Sequence, residues 1–167
     1  MFDWQIDKNI RLELLETRHA EELFQLTDQN REHLAQWLPW VYSVQQSEDT
    51  VDFINQTQQQ WVETQSFQAA ILVDNNIAGT IGHHKIDWQN RKTSLGYWLG
   101  KSFQGHGIMT KCCSTVISHA FNKLDLHRLE IHCAADNKKS RGVPERLGFI
   151  QEAILKEAIQ LNGKFKD

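Results

Sequence analysis

Between Ser94 and Thr110 the chain reads Ser-Leu-Gly-Tyr-Trp-Leu-Gly-Lys-Ser-Phe-Gln-Gly-His-Gly-Ile-Met-Thr, an apolar run, a glycine-rich turn and a helix start near Ile108 or Met109. That order suits an anion. Gly105 and Gly107 let main-chain N–H groups approach a ligand, and the helix N-terminus adds the positive end of its dipole. Two familiar phosphate loops do not fit. A dinucleotide fingerprint starting at Gly105 needs a third glycine where Thr110 stands. Gly100-Lys-Ser-Phe-Gln-Gly105 has the opening spacing of a nucleoside-triphosphate loop, but His106-Gly107 follow where a lysine and a Ser or Thr are required.

The elements that must position this segment follow from periodicity. Asn9 to Leu15 alternates apolar and polar residues, the period of a half-buried strand, and Arg18 to Asp28 has helical spacing. A second short helix leads to Trp37 and ends at Pro39. Ser47-Glu-Asp-Thr50 predicts an N-cap and first turn, opening a helix with Val51, Ile54, Gln58 and Trp61 on one side. Phe67 to Val73 and Ile77 to Ile86 form an antiparallel hairpin across Asp74-Asn-Asn76, and Thr93 to Leu99 is a third strand leading into the glycine turn. The following helix carries Ile108, Cys112, Val116, Ala120 and Leu124 in an i, i+4 stripe that must pack on a sheet. Arg128 to Ala134 is a strand buried on one face. Asn137 then caps a short helix that ends near Leu147, with Gly148 as its stop, and Pro144 restricts that helix to its first turns. A last long strand starts at Phe149, and Asn162-Gly163 signals a hairpin only four residues before Asp167.

The 167 residues fit one domain, residues 1–167, with no linker-like stretch, no repeat and two prolines. A net charge of −3 gives no bulk attraction to nucleic acid or anionic membrane, so any anion binding must be local. No apolar run approaches the roughly 18 residues of a membrane span, and no signal peptide is recognisable, which predicts a cytoplasmic protein. Three cysteines, two of them adjacent, and scattered histidines have no metal-ligand spacing, so no metal is expected.

Gln104-Gly-His-Gly107-Ile-Met109 resembles the acyl-CoA pyrophosphate loop of the GCN5-related N-acetyltransferase (GNAT) superfamily, with Met109 where a small residue is usual. Gly96-Tyr-Trp-Leu99, Arg128-Leu-Glu-Ile131, Asn137-Lys-Lys-Ser140 and Leu147-Gly-Phe149 follow the order of that superfamily. Trp37-Leu-Pro-Trp40 and the helix bearing Trp61 are similar to its RimJ/RimL branch, whose named members acetylate ribosomal-protein N-termini. The resemblance spans nearly the whole chain. It implies an α/β (α+β) GNAT fold: a mixed, mostly antiparallel central sheet with splayed middle strands, flanked by helices.

The same resemblance implies acetyl-CoA as co-substrate, its pantetheine arm pairing with the backbone of Tyr97 and Leu99 like a short extra strand. Its pyrophosphate would meet Gln104, Gly105, His106, Gly107, Ile108, Met109 and Thr110, with Lys101 and Lys111 nearby. Asn137 would contact the pantetheine arm, or serve only as a helix cap. Lys138, Lys139 and Arg141 could meet the 3′-phosphate, although a solvated basic helix start is the simpler reading.

Acetyl transfer to an amine needs a deprotonated amine, a polarised thioester carbonyl and a proton for the departing thiolate. The tyrosine that supplies this proton in many superfamily members is replaced by Pro144. In the RimJ/RimL branch a serine three residues after the asparagine is proposed instead, and Ser140 matches; it also suits an ordinary helix N-terminal serine. For the general base, the branch's glutamate position holds Ile159, with Glu157 two residues earlier. On chemical grounds His84 is the better candidate, with Asp87 to orient it, and Glu130, His132 or an ordered water are alternatives. Trp40, beside Pro39, suits a substrate wall; Trp61 and Trp98 suit the core.

The acceptor expected from the resemblance is a protein N-terminal α-amine of ribosomal-protein type. A small-molecule amine (polyamine, amino acid or aminoglycoside) is the alternative within enzymes, and an acyl-CoA-binding regulator that has lost turnover is the alternative outside them. An exposed sheet edge and the short final hairpin make self-association an expectation.

Overall fold

A computed structural model describes residues 3–167. Its main sheet has six strands in chain order: β1 (Asp3–Gln5), β2 (Ile10–Leu14), β3 (Phe67–Val73), β4 (Asn76–His83), β5 (Lys92–Leu99) and β6 (Arg128–Ile131). All neighbours are antiparallel except β5 and β6. The sheet is thus mixed and mostly antiparallel, as the family resemblance implied. β1 is an addition; three residues are too few for an alternation to show.

Helices cover both faces, which is why β3 reads as an almost continuous apolar run. Phe67, Ala69 and Ile71 face α4 (Ile108–Asn122), meeting Ile108, Cys112 and Val116. Ala70 and Leu72 face the other way, toward Leu23 of α1 (Ala20–Gln29) and Ile54 of α3 (Ser47–Val62). A short α2 (Arg31–Leu34) and a 3-10 turn at Pro39–Tyr42 connect α1 to α3. The Asp74-Asn75 loop has positive φ at both residues (50° and 68°), the backbone a two-residue type I′ hairpin demands. At the start of α3 the cap is Gln46, one residue earlier than expected. Asp49 accepts from the backbone N–H of Gln45 (2.8 Å) and Gln46 (3.0 Å), which leaves Ser47 as the first helical residue.

The parallel pairing of β5 with β6 runs only from Lys92↔Arg128 to Leu95↔Ile131. Beyond it β5 continues to Leu99 while β6 stops, shorter than the Arg128 to Ala134 expected, so the sheet opens there. After α5 (Lys138–Arg146) the sequence pattern called for a long strand from Phe149, but residues 149–158 form none. Glu152 instead joins β6 through its side chain, in a two-pronged ion pair with Arg128 (2.8 and 2.5 Å). The final residues make a separate hairpin of β7 (Ile159–Leu161) and β8 (Lys164–Lys166), turning at Asn162-Gly163. Its tip is tied across the molecule: the Asn162 amide donates to the Ala35 carbonyl (3.2 Å) and accepts from the Tyr42 hydroxyl (2.8 Å). Its base is held at the other side, where the Ala135 N–H donates to the Asp167 carbonyl (2.9 Å) and Lys166 pairs with Asp136.

His83, at the end of β4, is 3% exposed and meets the Phe67 ring edge-on at 4.8 Å. Burial holds its pKa down at about 4; the neighbouring His119 and His84 oppose its charge, and only the His84 carbonyl favours it. The unfolded chain therefore binds this proton first as pH falls from about 6.5 to 4, and stability drops across that window. In His83→Phe, urea denaturation is expected to show a loss of stability between pH 7 and pH 4.5 smaller than the parent's by about 2 kcal/mol. Equal losses in the two proteins would contradict the assignment.

Candidate active site

The opening between β5 and β6 leads into a groove of about 1640 Å³. On one side of β5, Ser94 accepts from the His84 N–H (2.9 Å) and the Gly100 N–H donates to Ala78 (2.8 Å), so the backbone polar groups of alternate residues pair with β4. Strand alternation turns those of Tyr97 and Leu99 the other way, into the gap. There they lack a β6 partner; the Leu99 carbonyl receives only a long bond, 3.4 Å, from the Gln104 amide.

The groove continues to the glycine turn. Gly107 caps α4 at φ 73° and Gly105 lies at φ 83°, both in the left-handed region that side chains disfavour. A Cβ at either would meet nothing within 4 Å, so the restriction is one of backbone conformation and leaves open space above the turn. The first bond of α4 runs from the Lys111 N–H to the Gly107 carbonyl (3.1 Å). The N–H groups of Gly105 to Thr110 have no partner among the described residues, and the dipole of a 15-residue helix stands behind them. Met109 does not obstruct them, because its side chain is buried in the core beneath α4.

Cations surround this cradle despite the chain's negative balance. Lys101, Lys138, Lys139 and Arg146 all line the groove, and none has a carboxylate within 4.0 Å among the described residues. The Arg146 guanidinium donates to the Thr110 hydroxyl (3.2 Å). Gln104 forms a hub, its carbonyl oxygen accepting from the Lys139 ammonium (2.9 Å) and its amide nitrogen 2.8 Å from His33 Nε2. Burial, then Lys139 and Lys101, lowers the His33 pKa. His33 and Arg146 were not singled out from sequence, His33 because it lies 71 residues from Gln104.

Of the sequence candidates, Tyr97, Leu99, Gln104, Gly105, Gly107, Ile108, Met109 and Thr110 line the groove, as do Asn137, Ser140 and His84. His106 is exposed and outside the lining, and Lys111 is committed to Asp7. Arg141 turns to the Ala135 carbonyl (2.9 Å) and Glu145. Asn137 caps α5, accepting from the Ser140 N–H at 3.2 Å, so its carbonyl oxygen is spoken for and its amide NH2 remains. Burial raises the Cys133 pKa, and the same thiol interacts with the Ser140 side chain.

His84 sits where Gly96 makes room for it. Its Nδ1 is 2.9 Å from the Ser94 hydroxyl, and its ring lies over Gly96. Asp87 does not orient it; that carboxylate is engaged by the backbone and side chain of Asn90 (3.0 and 2.7 Å). Glu130 pairs with Arg128 and His132, and Glu157 stands in an exposed turn at φ 50°, away from the groove. The far wall is aromatic: Trp37, Trp40 and Phe53 line it, Trp40 packing on Trp98 at 5.9 Å. Trp61 meets Phe67 at 6.3 Å but stays exposed, so it packs on the edge of the core and not within it as expected.

A sheet parted between two parallel strands above a bare helix N-terminus is the architecture of the GNAT acetyltransferases. The chain belongs to that family: its acetyltransferase (GNAT) domain matches residues 9–150. Over its whole length the chain is 37% identical to YdaF of Bacillus subtilis (strain 168), covering 92% of that protein. It is 31% identical, over 98% of its own length and 91% of the relative's, to the ribosomal-protein-serine acetyltransferase of Escherichia coli (strain K12). RimL, a ribosomal L7/L12 α-N-protein acetyltransferase solved with coenzyme A, superposes with a TM-score of 0.96 at 28% identity, covering 99% of this chain and 93% of RimL. The microcin C7 self-immunity acetyltransferase MccE, solved with acetyl-CoA and AMP, superposes at 0.90 with 31% identity, covering 96% and 89%.

A Cβ at Gly96 would stand 2.9 Å from both Cε1 and Nε2 of His84. Because the imidazole is exposed it can swing aside. Gly96→Ala is therefore expected to fold normally but lose the Ser94 contact, read as a change in the His84 imidazole resonances. Unchanged resonances would refute this placement.

Proposed function

We propose that this acetyltransferase moves the acetyl group of acetyl-CoA to the α-amine of a protein N-terminus, with both substrates in the groove at once. The observation that carries the reading is the continuity of the groove, from the free N–H cradle at Gly105 to Thr110, through the β5/β6 gap, to an aromatic wall that exposes Trp40 and Phe53. Whole-length similarity to a ribosomal-protein-serine acetyltransferase and to RimL supports the protein acceptor.

The donor fits the parts. The cradle and its cations suit a pyrophosphate, and the unpaired backbone of Tyr97 and Leu99 suits the amides of pantetheine. Asn137 can add its remaining NH2. At the reacting end, the neutral amine nitrogen bonds to the thioester carbonyl carbon while His84 Nε2 takes a proton from that nitrogen, its Nδ1–H donating to the Ser94 hydroxyl. The C–S bond breaks, and the Ser140 hydroxyl gives its proton to the departing thiolate. Solvent in the groove returns a proton to Ser140 and takes one from His84.

Two measurements test this. Incubation with acetyl-CoA and either ribosomal proteins or a panel of polyamines, amino acids and aminoglycosides, read by mass spectrometry, is expected to place one acetyl group on a protein N-terminus. Acetylation confined to the small amines would replace the protein acceptor, and tight acetyl-CoA binding with no turnover would indicate an acyl-CoA-binding regulator. Among variants, Gly107→Glu places a strained residue and a negative charge at the cradle and is expected to weaken CoA binding about 100-fold or more by calorimetry. Ser140→Ala is expected to lower kcat about 100-fold while CoA binding stays within about twofold. A Gly107→Glu protein that binds CoA like the parent would sink the cradle assignment.

A further inference from the structure

The helix that carries Ser140 contains a defect that another part of the site repairs. Pro144 is the seventh residue of α5 and has no N–H to give to the carbonyl four residues back, that of Ser140, and a proline ring crowds the carbonyl at that position. The Tyr97 hydroxyl, on β5 across the groove, donates to this same carbonyl at 3.0 Å. At the other end of the residue, the Ser140 N–H is held by Asn137 Oδ1 at 3.2 Å.

Resting on the acetyl-transfer reading above, we propose that Tyr97 is a positioning residue: its hydroxyl replaces the helix bond that Pro144 deletes and so fixes the Ser140 hydroxyl against the gap where the thiolate departs. Burial keeps the phenol protonated and hence a donor throughout the working pH range. The pairing also explains how a proline is tolerated this deep in the helix, since both Ser140 backbone groups have partners. Tyr97 therefore has two separate roles, its main chain facing the donor and its side chain setting the acid.

The test is a cycle between the partners. With Pro144 in place, Tyr97→Phe is expected to lower kcat about tenfold, with KM for acetyl-CoA changed less than about twofold. In a Pro144→Ala background the backbone N–H returns to the helix, and the same Tyr97→Phe change is expected to lower kcat less than about twofold. Amide hydrogen exchange at Ser140 and Arg141 provides a readout independent of turnover: Tyr97→Phe should speed it, and should not when combined with Pro144→Ala. A tenfold loss in both backgrounds would overturn the proposal, pointing to Tyr97 acting on the proton itself, and an unaltered kcat in Tyr97→Phe would overturn it as well. If the parent shows no acetyl transfer, the functional reading fails, and the exchange cycle alone decides whether the clamp exists.

Discussion

The site depends on a sheet that stops pairing too early. Backbone N–H and C=O groups in a protein interior must find partners, and a strand that loses its neighbour halfway along leaves a row of them stranded. β5 does this after Leu95. What makes the arrangement tolerable is that its other edge remains fully laddered to β4 while its faces stay packed between α4 on one side and α1 and α3 on the other. The open edge therefore persists without collapsing, as a standing demand for hydrogen bonds. A ligand with amides along its length answers that demand. The glycine turn then follows because β5, running on alone, must be turned into α4 at the open end of the gap.

The charge distribution follows the same economy. A chain carrying net negative charge cannot attract a polyanion by its bulk field, so attraction is built locally from a helix N-terminus, Lys101, Lys139 and Arg146. Gln104 keeps this cluster organised by accepting from Lys139 beside His33. Met109 illustrates how a bulky residue can occupy a turn where small ones are usual: its side chain goes down into the core, and only the backbone matters on the ligand side.

The parts of this molecule legible in the sequence are those fixed by neighbours in the chain. The cradle was readable because Gly105, Gly107 and the stripe of α4 are contiguous, and the Asp74-Asn75 and Asn162-Gly163 turns because two residues determine each. The Asn137 cap and Ser140 also lie within a single helical turn. Other features are invisible to periodicity because they join distant residues: His33 with Gln104, Tyr97 with Ser140, and Asn162 with Ala35 and Tyr42. The strand expected from Phe149 failed for a related reason. Ile150, Ile154 and Leu155 have strand-forming character, yet Arg128 engages Glu152 by side-chain contact and no ladder forms.

The terminal hairpin has an implication for how the groove is completed. Its tip is fastened to residues more than 100 positions earlier, so it can dock only after the N-terminal helices are in place, and apart from Leu161 it buries little apolar surface. Such an element opens at a fraction of the free energy needed to unfold the sheet. The groove is thus built with unequal stiffness: the glycine turn rests on a helix packed into the core, whereas its border at Ile159 belongs to this lightly packed hairpin. Substitutions in these few terminal residues can therefore reshape that border of the groove with little consequence for the rest of the fold.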